Sequence, residues 1–110
     1  MELKQYHDIL KTISDESRFR IINILLTHDL CVGALAKHLN ISKSAVSQHL
    51  QVLRKIGLVT GEKRGYFTHY IVNRLLLKQV GEKTIEIASK SYEGVCQREQ
   101  TGECKFTYKE

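Results

Sequence analysis

Residues 32–57, VGALAKHLNISKSAVSQHLQVLRKIG, constrain the fold more than any other stretch of this chain. Val32, Leu35, Ala36 and Leu39 recur at helical spacing over two turns, and Asn40 is a residue type that accepts the left-handed conformation ending a helix. Ile41 then anchors a short turn and Ser42 supplies an N-cap. The helix that follows, Lys43 to about Ile56, has two unlike faces. Val46, Leu50, Leu53 and Ile56 lie on one side; Ser44, Ser47, Gln48 and Gln51 lie on the other, with Lys43 beside them and His49 at the margin. Gly57 terminates it. Two helices joined by so short a turn, the second polar on its outer face, form a helix-turn-helix.

The flanking segments complete the element order. Leu3, Tyr6, Leu10 and Ile13 predict a first amphipathic helix. Ser14-Asp15 then caps a second, carrying Phe19, Ile22, Leu25 and Leu26. LVTGEKRGYFTHYIV reads as two short strands around a Gly61–Gly65 turn, with Lys63 and Arg64 at the tip and Tyr66, Thr68, Tyr70 and Val72 on one face. The last helix, about 74–91, places Leu77, Val80, Thr84, Ile87 and Ser91 near a seam, with Gly81 as an internal weak point. The expected fold is mainly α with a small β-hairpin, a winged helix-turn-helix in the order ααααββα. At 110 residues it is a single domain, 1–110, with a core over 15–73, flanking helices at about 2–13 and 74–91, and a cysteine-containing tail over 92–110.

Charge sharpens the reading. The net charge of +5 is concentrated in residues 41–78, where Lys43, Arg54, Lys55, Lys63, Arg64, Arg74 and Lys78 face one acid, Glu62. Residues 1–40 are balanced and residues 79–110 are slightly acidic. A basic middle third coinciding with a helix-turn-helix is the electrostatic footprint of double-stranded DNA binding. Ser44, Ser47, Gln48 and Gln51, with His49 beside them, would face base edges. Lys43, Arg54 and Lys55 would hold phosphates, and Lys63 and Arg64 would carry the hairpin to the backbone or minor groove.

An enzyme is disfavoured: there is no CxxC, no glycine-rich phosphate loop and no nucleophile–base constellation, and His7, His28, His38, His49 and His69 are scattered. No apolar run reaches membrane-spanning length, and the N-terminus does not read as a signal peptide. Three cysteines, an odd number, do not suit an exported disulfide scaffold, so the expected compartment is the cytoplasm.

From Ile13 to Asn73, the runs ISDESRFRIINILL, LCVGALAKHLNISKSAVSQHLQVLRKIGLV and YFTHYIVN resemble the ArsR/SmtB family of transcriptional repressors. ISKSAVSQHLQVLRKIGLV is the most specific part of the match. The resemblance implies a homodimer built from the first and last helices, bound to operator DNA and released when a metal or metalloid binds. The family's thiol-type sensors resemble ELCVCDL at the start of the third helix; here the stretch is DLCVGAL, with Cys31 in the first position and Gly33 in the second. The family's Asp and His ligand set on the last helix is missing, since neither residue type follows His69.

Cys96 and Cys104, separated by seven residues in the tail, offer replacements. With Cys31 they would form a three-sulfur metal site suited to As(III), Pb(II) or Cd(II). Adding His28 or His38 would give a Cys3His set for Zn(II) or Cd(II). Two other readings stay open. Cys31 lies four residues before Leu35 and suits a small core filler. Cys96 and Cys104 suit thiol redox or reactive-sulfur sensing, with Arg98 and Lys105 lowering a thiol pKa against Glu99 and Glu103. A DNA-binding regulator with incidental thiols is the remaining alternative.

Overall fold

Three side chains start helices, and each finds the backbone N–H that its position demands. The Asp15 carboxylate accepts from the Arg18 N–H at 3.0 Å, the Ser42 hydroxyl from Ala45 at 3.1 Å, and the Asn73 side chain from Leu76 at 3.1 Å. In the computed structural model, which describes residues 1–92 and 94, the elements are α1 (Leu3–Ile13), α2 (Glu16–Thr27), α3 (Val32–Leu39), α4 (Lys43–Lys55), β1 (Val59–Arg64), β2 (Phe67–Val72) and α5 (Arg74–Ala88). This is the order ααααββα that the sequence predicts. Cys96, Cys104 and nearly all of the tail lie outside the described residues.

The turn of the helix-turn-helix closes at Asn40, whose φ of 56° is left-handed. That conformation lets the Ile41 N–H donate to the Ala36 carbonyl and the Asn40 N–H to Lys37, both at 3.2 Å, capping the end of α3. Gly57, at φ 86°, ends α4 in the same manner, with the Leu58 N–H donating to the Leu53 carbonyl at 3.0 Å.

The core is drawn from every element. Ile9 of α1, Ile21 of α2, Leu35 of α3, Val46, Leu50 and Leu53 of α4, and Leu58 are almost wholly buried. Each contributes about 1.5–3 kcal/mol by leaving water. Val59, Val72, Leu76 and Val80 extend this core under the hairpin and α5.

Four expectations change in detail. Phe19 is 54% exposed, and Ile21 takes the core position instead, because Ile21, Ile22 and Leu25 define the inward stripe and Phe19 falls to its side. Gly61 is not a turn residue: it pairs with Tyr70 inside an antiparallel ladder running from Val59–Val72 to Arg64–Phe67. The loop is Gly65-Tyr66 alone, and Gly65 has the positive φ (64°) that so tight a hairpin needs. Tyr66 is therefore at the loop, fully exposed, rather than on the strand face that Thr68, Tyr70 and Val72 share. Finally, α5 stops at Ala88, leaving Ser91 beyond the helix.

Candidate nucleic-acid interface

Burial of Val46, Leu50 and Leu53 turns the opposite side of α4 outward. Lys43, Ser44, Ser47, Gln48, Gln51, Arg54 and Lys55 are all exposed, so the polar face read from the sequence is a continuous surface. Its N-terminal half carries short polar groups fit for base edges; its C-terminal half carries cations fit for phosphates. The Gln51 amide oxygen accepts from Arg54 Nε and Nη2 at 3.2 and 2.9 Å, which fixes the guanidinium against the helix.

His49 differs from these neighbours. Its side chain is 24% exposed and turns toward α2, where Nδ1 lies 3.4 Å from Arg18 Nη1 and 4.0 Å from the Asp15 carboxylate. It supports the α2–α4 packing from the margin of the polar face.

The hairpin stands beside the C-terminal half of α4. A groove of about 630 Å³ between them is lined by Gln51, Arg54, Gly61, Lys63, Thr68 and Tyr70, among others. Strand alternation decides which hairpin residues line it. Gly61 and Lys63 share a face with their cross-strand partners Tyr70 and Thr68. Glu62 and Arg64 share the other face with His69 and Phe67. Lys63 and Arg64, adjacent in sequence, thus point to opposite sides of the wing.

Arg64 is engaged elsewhere. Its guanidinium pairs with the Asp29 carboxylate in the α2–α3 connection and, through Nε at 3.0 Å, with Glu62. Asp29 also meets His69 Nδ1 at 2.9 Å, and the backbones of Cys31 and His69 form an isolated antiparallel bridge. Hydrogen bonding to Arg64, and then to His69, holds the Asp29 carboxyl below the usual aspartate value. Asp29 belongs to no motif legible in the sequence, and nothing local sets His69 apart from the other scattered histidines. Period-two parity along β1 was the signal that separated Arg64 from Lys63.

Cys31 occupies the N-cap position of α3, half-buried, with no side-chain capping bond. At Gly33 an added Cβ would lie 3.4 Å from Lys43 Cε, in ordinary contact with the first residue of α4. The His28 and His38 rings are tilted neighbours with centroids 5.6 Å apart. Among the described residues no group of three or more His, Cys, Asp or Glu side chains converges as a metal site. They contribute Cys31 alone to the three-sulfur set; Cys96 and Cys104 lie outside them.

Comparison with known proteins agrees with this fold. Residues 15–60 match the family described as bacterial regulatory protein, arsR family. The arsenical resistance operon repressor of Staphylococcus aureus is 31% identical over 104 residues, covering 94% of this chain and 100% of that protein. Among solved structures, an ArsR-like transcriptional regulator from a Rhodococcus species superposes with a TM-score of 0.71 at 27% identity, over 78% of this chain and 81% of that one. Reduced HlyU from Vibrio cholerae gives a TM-score of 0.65 at 32% identity, over 79% and 92% respectively.

Proposed function

Because the chain belongs to the arsR family of bacterial regulatory proteins, we propose that it is a homodimeric repressor that reads an operator with α4 and lets go when its thiols engage a ligand. The exposed polar face of α4, continuous with a groove bearing Arg54 and Lys63, is the observation that carries the DNA-binding part. In this reading Ser44, Ser47, Gln48 and Gln51 face base edges, while Lys43, Arg54, Lys55 and Lys63 hold phosphates. Two copies are needed, because one short helix spans too few bases for useful affinity and an isologous pair matches two half-sites a helical turn apart. Leu3 of α1 and Leu75 and Ile85 of α5 are more than half exposed, which supports these helices as the surface between copies.

The ligand is a soft metal or metalloid, As(III), Cd(II), Pb(II) or Zn(II), held by Cys31 with Cys96 and Cys104. The name of the S. aureus relative, an arsenical resistance operon repressor, supports this choice. Cys31 lies at the α2–α3 connection, one helix before the DNA-reading helix, so a bond there acts close to the reading surface. A second reading, thiol redox sensing by Cys96 and Cys104, is favoured by the similarity to HlyU, a structure of which is described as reduced.

The test has two parts. Wild-type protein is first used to select duplexes of about 30 bp, long enough for two half-sites, from a random library. Selected DNA is then titrated anaerobically in the presence of Cd(II) or As(III), and separately with a thiol oxidant and no metal, using wild type and each single Cys→Ser variant. Metal-induced release lost in all three variants supports the three-sulfur sensor. Release by oxidant alone, lost only with Cys96→Ser or Cys104→Ser, replaces it with the redox reading.

A further inference from the structure

We propose that Asp29 is a positioning residue for the wing, and that Arg64 is the strut it holds rather than a phosphate contact. The inference rests on the DNA-binding reading above and refines it, because it divides the two cations of the wing between different tasks.

Three links join the wing to the α2–α3 connection. Asp29 pairs with Arg64, the last residue of β1; it meets His69, in the middle of β2, at 2.9 Å; and Cys31 bridges His69 through the backbone. One carboxylate thus grips both strands. Arg64 sits directly before the Gly65-Tyr66 loop, so the grip acts near the far end of the hairpin, where leverage on its tilt is greatest. At the near end the hairpin is already fixed by buried Val59 and Val72. A two-stranded ribbon without further strands is weak by itself. Anchored at both ends, it presents Lys63, on its opposite face, to the groove shared with Arg54.

The same geometry neutralises Arg64. Its guanidinium has two carboxylate partners, Asp29 and Glu62, whereas Lys63 has no ion-pair partner among the described residues. On a duplex, Lys63 would release a phosphate counterion and Arg64 would not. Asp29 itself is 62% exposed, so replacing it leaves the core untouched.

The slope of log K against log salt reads these roles directly, with a fluorescein-labelled duplex recovered by the wild type from a random library as the probe. Lys63→Gln flattens the slope by about one per protomer, as loss of one phosphate contact requires. Arg64→Gln weakens binding but leaves the slope at the wild-type value. Asp29→Asn leaves Arg64 with Glu62 as its one carboxylate partner among the described residues and steepens the slope by up to about one per protomer; Asp29→Glu, which keeps the charge, stays near wild type. Circular dichroism checks that each variant is folded, and Arg64→Gln tests the idea independently of Asp29. Arg64→Gln flattening the slope as much as Lys63→Gln overturns the proposal, since Arg64 would then be a phosphate contact. An unchanged slope in Asp29→Asn overturns the masking by Asp29. Failure of the wild type to enrich any duplex overturns the DNA-binding reading itself, and the wing clamp with it.

Discussion

The Tyr6 hydroxyl donates to Thr84 Oγ1 at 2.7 Å, joining α1 to α5 across 78 positions of sequence. The direction follows from proton economy. Thr84 has one hydroxyl proton and spends it on the Val80 carbonyl at 2.9 Å, so the shared proton belongs to Tyr6. Tyr6→Phe leaves the Thr84 lone pair unfilled at a site that is 9% exposed on the tyrosine side. The expected loss is about 0.5–1.5 kcal/mol, measured as a lowered urea midpoint at fixed protein concentration. Thr84→Val in the same background should add little, because the pair is already broken.

Leu50 tests the packing that turns the polar face of α4 outward. It is fully buried, and Leu50→Ala should cost about 2–5 kcal/mol in urea unfolding. Gln51→Ala, on the exposed side of the next residue, should stay within about 0.5 kcal/mol of wild type.

Asn40 tests the turn. Its φ of 56° is costly for a β-branched side chain and free for glycine. Asn40→Val is expected to lower stability by about 1–2 kcal/mol, whereas Asn40→Gly should be neutral or slightly stabilising by equilibrium unfolding. If both variants behave alike, the left-handed cap is not what ends α3.

Base reading and phosphate holding separate by their salt dependence. Gln48→Ala should cost about 1–3 kcal/mol on the selected duplex and little on random DNA, without changing the salt slope. Lys55→Gln should weaken binding to both DNAs alike and flatten the slope by about one per protomer.

Acid should unfold the protein through its paired aspartates. Asp29 is held below the usual value by Arg64 and His69, Asp15 by the Arg18 N–H at the start of α2, and Asp8 by Lys4. A carboxylate with a depressed folded-state pKa adds stability that is complete above its unfolded value of about 4 and lost as pH falls through the folded value. Urea midpoints should therefore fall below about pH 4, with a shallower fall in Asp29→Asn. Asp29 is exposed and Asp8 and Asp15 are partly so, and added salt should therefore shrink the difference.

Much of this molecule was written in its local sequence. Helical spacing and cap chemistry placed α3, its end at Asn40 and the start of α4 at Ser42, because each depends on neighbours within four residues. The two faces of α4 follow from the same period, so the polar surface was legible before any packing was known. Where sequence reading failed, a longer-range choice was involved. Ile21 rather than Phe19 enters the core because the surrounding elements select which side of α2 is covered.

The wing shows the division most clearly. LVTGEKRGYFTHYIV contains two strands by composition, yet the loop could close at several points until the Arg64–Phe67 pairing left only Gly65-Tyr66 between the strands. The charge of Arg64 was visible in the sequence, but its partner was not: Asp29 lies 35 residues earlier, beyond the reach of any local period. Periodicity determines which face of an element a side chain occupies; only tertiary structure, by bringing that face against a charge from elsewhere in the chain, decides whether the side chain is free to bind.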